Sequence, residues 1–291
     1  ERHLDLVKHF KTNIRKKTKT PVIYEIDDLL FDIPEWNYAS SYYSKYRSSI
    51  EKILEETDGI TVSTEFLKKK YLKYNSKIEV IPNHLPKFVW GESVPQYSLD
   101  KKGKIKIIWA GSENHFANKH LLNKGIKGGD FGKGLIDFIR KTINQYHWII
   151  CGGIPNELSD LKNNGIEYYE WKNIFEYPSF LKSLQADIFI APLKNNEFNS
   201  SKSNLKMLET VAIGAAGVYS NIEPYAGGKM LANNDEEMIE MIQSLANDRD
   251  LRKVVYEHDL QNVKDVLYWE DNNNVRRYIE TYLKFFDRCL E

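Results

Sequence analysis

The sequence predicts an α/β protein made of two parallel-sheet blocks, and three observations predict it. Apolar runs of strand length alternate with amphipathic stretches of helix length, as a parallel sheet covered by helices requires. The alternation falls into two groups along the chain. Between the groups runs "NHLPKFVWGESVPQYSLDKKGK", with two prolines, two glycines and no hydrophobic period, which reads as a connection between domains.

In the first group, "PVIYEID" (21–27), "GITVS" (59–63) and "KIEVIP" (77–82) read as strands, with helices expected near 38–56 and 64–74. Three strands make a thin sheet. The second group is fuller: "IKIIWAG" (105–111), "HWIICGG" (147–153), "IEYYEW" (166–171), "DIFIAPL" (187–193), "AGVYSN" (216–221) and a short "KMLAN" (229–233). "DEEMIEMIQSLAN" then opens with acids that suit a helix N-terminus, and two charged amphipathic helices close the chain. The expected organisation is an acceptor-side domain over 1–95, a larger ligand-binding domain over 96–267 and a final helix over 268–291. The opening "ERHLDLVKHFKTNIRKK" reads as a helix in mid-fold, so the first domain is expected to be incomplete.

Composition removes several function classes. Of the 291 residues, 41 are Lys or Arg and 41 Asp or Glu, so no global field marks a nucleic-acid or membrane binder. No stretch approaches the roughly 18 consecutive apolar residues of a membrane span, and no signal peptide opens the chain. Two cysteines, Cys151 in an expected strand and Cys289 at the tail, fit a reducing compartment, so a cytoplasmic location is the expectation. Nothing fixes the oligomeric state.

The segment "FNSSKSNLKMLETVAIGAAG" carries the most chemistry. After strand "DIFIAPL" and the loop "KNNEFNSS", a helix is expected from about Lys202 to Gly214, capped by serines and offering free amides to an anion. Lys202, Lys206 and Glu209 share one face of that helix, and Leu205, Leu208 and Ala212 share another. Spacing alone leaves two readings of Lys206 and Glu209: an exposed ion pair worth a few tenths of a kcal/mol, or ligand-facing groups. Gly111 and Ser112 follow a strand where backbone can approach a phosphate, and His115 lies in the same loop. That loop, "ENHFANKHLLNKGIKGGD", is polar and glycine-rich and suits a flap over a site. His120 has no partner at metal spacing, so no metal site is expected.

In the first block, "YEIDD" sets Asp27 and Asp28 at a strand end facing the cleft, where a carboxylate can orient a hydroxyl or take its proton, or else cap the next turn. A metal-binding acidic pair is the competing motif, and it does not suit the two-block order. The tyrosine-rich "WNYASSYYSKYR" (36–47) suits either core or stacking on a sugar or base. "RKKTK" (15–19) is either a solvated loop or a phosphate contact.

The stretch "APLKNNEFNSSKSNLKMLETVAIGAAGVYSNIEPY" resembles the donor-site segment of GT-B glycosyltransferases, in particular family 4-like members with "FN..KSN.K..E". "TPVIYEIDDLLFDIP", "DGITVSTEFLKKKY", "IEVIPNHL" and "IKIIWAGSENH" resemble further segments of that family in the same order. The resemblance covers most of residues 21–225, and the tail "YWEDNNNVRRYIETYLKFF" is similar to the helix that returns to the first domain in this fold. It implies two Rossmann-like domains facing a cleft and transfer of a sugar from a nucleotide diphosphate, a UDP-sugar as the expected donor, to a hydroxyl with retention of configuration. It also implies that Glu209 contacts ribose or sugar hydroxyls, that Lys202, Ser203, Asn204 and Lys206 hold the diphosphate without a metal, and that Asp130 matches the family's acid after the long loop. The family's acid eight residues before Glu209 is replaced by Ser201. Some likeness to phage DNA α-glycosyltransferases makes hydroxymethylated DNA an acceptor alongside glycans. A non-catalytic nucleotide-sugar-binding module is the alternative from another class.

Overall fold

The computed structural model describes residues 2–15, 19–95 and 103–290. The basic run at 15–19 lies largely outside them, as does the end of the interdomain connection. Helix α1 (Arg2–His9) continues into a wider π-helical turn and packs through Val7 on Ile53. Strand β1 (Ile23–Ile26), helix α2 (Ser40–Glu56), β2 (Gly59–Val62), α3 (Glu65–Tyr71) and β3 (Ile78–Val80) build a three-stranded parallel sheet in the order β1-β2-β3. All four residues of β2 are buried, which is why "GITV" is apolar at every position but one. Thr64 caps α3, accepting from Leu67 N at 3.1 Å.

A short helix α4 (Lys87–Trp90) starts the connection, and β4 (Lys106–Gly111) opens the second block. Then follow α5 (Lys119–Asn123), α6 (Lys133–Thr142), β5 (His147–Gly152), β6 (Ile166–Tyr169), α7 (Tyr177–Leu184), β7 (Ile188–Ala191), α8 (Glu197–Ser200), α9 (Leu205–Ala212), β8 (Ala216–Ser220) and β9 (Leu231–Ala232). The six strands are parallel in the order β6-β5-β4-β7-β8-β9, so the order reverses direction beside β4. In such sheets the ligand crevice lies outside the carboxyl ends of the strands at this reversal. Helices cover both faces, and the two apolar layers are filled by Phe189, Leu208 and Tyr256 on one side and Trp148, Leu135 and Ile242 on the other.

Helices α10 (Asp235–Asn247), α11 (Arg249–Val263) and α12 (Asn272–Leu290) end the chain. The two passages between blocks are tied together by a parallel bridge between Leu85 and Tyr268, with Trp269 N donating to Leu85 O at 3.0 Å. Helix α12 crosses back onto the first sheet, where Phe285 is fully buried against Gly59. A Cβ on Gly59 would stand 2.1 Å from the Phe285 ring, so only glycine admits the helix at this distance.

Several expectations need correction. The donor-segment helix begins at Leu205 and not at Lys202, and "EFNS", expected as loop, is a separate helical turn. Asn204 occupies the N-cap without a side-chain cap, and no serine caps the helix. The reason is tertiary. Phe198 packs into the first block's core beside Ile26, Leu29 and Leu67, which pulls the segment out of a continuous helix. The 113–130 loop is also no open flap, since it holds a turn at Glu113–His115, helix α5 and an antiparallel bridge between Phe116 and Gly129. The tyrosine cluster divides: Tyr43 and Tyr46 pack on the first core, whereas Tyr38 and Tyr42 are exposed.

Candidate active site

The carboxyl ends of both sheets converge on the donor segment. Thr64 Oγ1 donates to Ser201 O at 3.1 Å, Lys70 pairs with Glu197, and Asn83 Nδ2 donates to Ser203 Oγ at 2.9 Å. Asn83 Nδ2 also reaches both carboxylate oxygens of Asp27, at 3.2 and 3.1 Å. One amide therefore links the end of β1 to the start of the donor helix. Among the described residues neither aspartate caps the turn after β1, which removes the purely local reading of the pair.

Asp28 is exposed by area, yet desolvation is the largest influence on its carboxyl and raises its pKa. Lys202 and His115 act in the opposite direction and Asp27 in the same one. Four sequence-predicted residues from three separate segments are thus electrostatic neighbours. The Lys202 ammonium lies 4.7 Å over the Phe198 ring and takes part in no ion pair among the described residues.

His115 Nδ1 lies 2.7 Å from Asp130 Oδ2. A carboxylate only accepts, so Nδ1 carries the proton and Nε2 keeps its lone pair. Burial lowers the His115 pKa first of all, Lys202 and Lys206 lower it further, and Asp130 opposes them, which leaves the ring neutral at physiological pH. Asp130 is itself buried and also accepts from Asn199 Nδ2 at 2.6 Å and Lys194 N at 3.0 Å. Its role in the structure is to hold the histidine and the donor loop.

Lys206 and Glu209 do pair, at 2.7 Å, but not on a solvated face: the Glu209 side chain is 6% exposed and that of Lys206 is 25%. This corrects the exposed-pair reading. Tyr177 donates its hydroxyl to the same Glu209 oxygen at 3.0 Å, and its phenol pKa is pushed well up by burial and then by the Glu209 charge. The other Glu209 oxygen is left to accept. These three groups floor a cavity of about 310 Å³ whose walls include Gly111, Ser112, Cys151 and Gly152. Its mouth carries Trp171 and Ile174, 74% and 67% exposed. The Cys151 thiol, pushed up to about 12 by burial, is an inert part of the wall.

The sequence reading missed Gly152 and Gly153. Gly152 has φ +91°, and a Cβ on it would lie 2.1 Å from Gly111 O. A Cβ on Gly153 would meet Ser112 O at 2.8 Å, and Gly153 N donates to Gly111 O at 2.8 Å. The paired glycines after β5 therefore let the β4 loop close against β5. "CGG" at a strand end was the available signal. Tyr177 and Asn83 were also missed, whereas Trp36 belongs to the aromatic cluster read as core or as a stacking surface. Trp36 bridges the blocks by lying under the Lys194 ammonium, 4.7 Å from its ring, and against Gly128.

Among the described residues no three His, Cys, Asp or Glu side chains are grouped as metal ligands. Nor is any helix there long and apolar enough to cross a membrane.

Two sheets with a switch-point crevice, a returning C-terminal helix and a donor segment between them define the GT-B fold of glycosyltransferases. The solved structures it resembles carry that fold. A mutant of S. aureus TarM, solved with fondaparinux, alpha-GlcNAc-glycerol and UDP, matches with a TM-score of 0.60 and 13% identity over 94% of this chain and 52% of that one. A UDP-forming trehalose-phosphate synthase from Burkholderia vietnamiensis matches with a TM-score of 0.63 and 12% identity, covering 98% of this chain and 70% of that chain. Sucrose-phosphate synthase from Thermosynechococcus elongatus gives 0.55 and 13%, covering 97% and 78%. The chain spans about half the length of the TarM chain. No protein-family model and no curated protein matches it.

Proposed function

We propose that this protein is a glycosyltransferase of the family 4 type that moves a sugar from a nucleoside-diphosphate sugar, UDP-linked, to an acceptor hydroxyl with retention of configuration. The observation that carries the reading is the cavity floored by Glu209, Tyr177 and Lys206 beside Gly111 and Ser112, with His115 of the adjoining loop within electrostatic reach of Lys206, Lys202 and Asp28. Its exposed Trp171 and Ile174 suit a base, and the free Glu209 oxygen suits ribose hydroxyls. Lys206, Lys202 and the amides at the start of α9 would take the diphosphate.

In this mechanism the bond between the anomeric carbon and the diphosphate oxygen breaks, and a bond from that carbon to the acceptor oxygen forms on the same face. The acceptor proton passes to the departing phosphate, with Asp27 orienting the hydroxyl. The lysines stabilise the charge that grows on the leaving group, a contribution made mainly in the transition state. A cytoplasmic location, where nucleotide sugars are supplied, accords with this reading.

Calorimetric titration of UDP and UMP into wild type and Lys206→Met tests it. Losing a charge-assisted contact should weaken UDP at least about tenfold and UMP less. The variant should also melt earlier, because Glu209 stays buried with one partner fewer, a cost of roughly 1–3 kcal/mol. Equal UDP affinity in both proteins would remove Lys206 from the site, and a wild type that ignores UDP, GDP and ADP would sink the donor reading.

A further inference from the structure

Asn83 follows β3 by three residues and stands between two fixed points of backbone: Ile81 N donates to Val62 O at 2.8 Å, and Leu85 N donates to Leu267 O at 2.8 Å. Pro82, just before it, has its own φ locked by the ring. The side chain is therefore presented from a rigid stem. With Asp27 it lines a cavity of about 260 Å³ at the carboxyl ends of β1, β2 and β3, which His84, Trp269 and Tyr278 help enclose.

A carboxylate only accepts, so the nitrogen of the Asn83 amide, and not its oxygen, faces Asp27. That nitrogen carries two hydrogens and has three acceptors in reach: Asp27 Oδ1 at 3.2 Å, Asp27 Oδ2 at 3.1 Å and Ser203 Oγ at 2.9 Å. One hydrogen is shared between the carboxylate oxygens and the other goes to the serine. Among the described residues Asp27 pairs with no cation and has no other side-chain partner, and it is exposed beside the like charge of Asp28. Without the amide it is free to turn among its rotamers. Ser203 Oγ accepts from Asn83 and keeps its own hydrogen to donate. It stands one residue before Asn204, the N-cap of α9, where the diphosphate of the proposed donor would sit.

We infer that Asn83 is a positioning residue for the proposed transfer, holding the Asp27 carboxylate in a direction set by Ser203 and, through Ser203, by the diphosphate; this rests on the donor reading. A diphosphate oxygen at the start of α9 accepts the Ser203 hydrogen in a charge-assisted bond. A hydroxyl that donates to an anion is a stronger acceptor, so the Asn83 amide is held to it more tightly. The second hydrogen of the same planar amide then has one direction, and the Asp27 carboxylate is fixed with it. Asn83 acts through Asp27 and not on the reacting atoms, and orienting a hydroxyl for transfer depends on such fixed geometry. A mere tie between the blocks is already supplied to the same segment by Thr64 on Ser201 and Lys70 on Glu197, so removing Asn83 leaves the donor segment anchored.

The relay is tested by NMR and by kinetics on the full chain. UDP is titrated into isotope-labelled protein while the Asn83 side-chain amide signal, identified by its loss in Asn83→Asp, is followed. UDP should move that signal in wild type, and at UDP saturation Ser203→Ala should remove at least about half of the movement. In parallel, UDP release is timed from UDP-glucose, UDP-galactose and UDP-N-acetylglucosamine, with methyl glycosides supplied as acceptors. Asn83→Asp keeps the shape of the side chain and loses both donor hydrogens, so it should lower kcat at least about tenfold and leave KM for the UDP-sugar within about threefold. Asn83→Leu should show the same split and serves should the first variant fail to fold. UDP that binds without moving the Asn83 signal, a variant that turns over at the wild-type rate, or kcat and KM that worsen together as for a structural tie would overturn the positioning role and leave the donor reading standing. A wild type that binds no UDP would sink the donor reading, and the relay with it.

Discussion

Two adjacent aspartates behave differently because of what each one faces. Asp27 is held by the Asn83 amide, at 3.2 and 3.1 Å, whereas Asp28 meets desolvation that raises its carboxyl above its ordinary range. The sign for stability follows from linkage. A carboxyl whose folded pKa is raised favours the folded state in acid, and that contribution is lost as pH rises through the folded value. The raised carboxyl weighs on the fold less in acid than at higher pH, so any gain in melting temperature from Asp28→Asn should shrink as pH falls. Asp27→Asn should instead leave UDP affinity nearly intact and slow transfer at least about tenfold. Melting curves across pH and single-turnover transfer assays separate the two, and an Asp27→Asn enzyme of unchanged turnover would remove Asp27 from the mechanism.

At the scale of elements, the cavity floored by Glu209 depends on how closely the loops after β4 and β5 approach. Gly152 is the point of closest contact, with φ +91° and no room for a Cβ against Gly111 O. Gly152→Ala imposes a strained backbone conformation and a clash with main chain that cannot rotate away, so it should cost at least about 2 kcal/mol. Because the displaced atoms belong to Gly111 and Ser112, UDP binding should weaken as well. Denaturant unfolding and UDP titration of this one variant check both, and wild-type values in each would show that the loops accommodate the methyl group.

For the whole molecule, the donor segment acts as the joint between blocks. Phe198 lies in the first core, Ser201 and Ser203 bond to Thr64 and Asn83, and helix α9 belongs to the second core. The segment that would hold the diphosphate is thus gripped by both sheets. With Lys202 and Lys206 there to offset the leaving group's charge, transfer should survive excess EDTA. A complete loss of transfer in EDTA, restored by a divalent cation, would show that the lysines do not suffice.

What the sequence by itself determined was periodic or local. The central strands were legible because buried parallel strands read as apolar runs, the half-buried β1, β3 and β6 because β-branched and aromatic residues recur in them, and Gly111, Lys202 and Glu209 stood out by residue type next to a strand or helix end. The pairing of Lys206 with Glu209 was legible from spacing, but its burial was not, since Tyr177 comes from 32 residues away to cover it. The start of α9 was misread for the same kind of reason: Phe198 gains more from the first block's core than from extending a helix. Only the tertiary structure decided that Asn83 joins Asp27 to Ser203 and that His84, Trp269 and Tyr278 enclose a cavity with β1. Those residues lie in segments without periodicity, and their neighbours are set by two chain passages crossing between domains, a contact that no local pattern encodes.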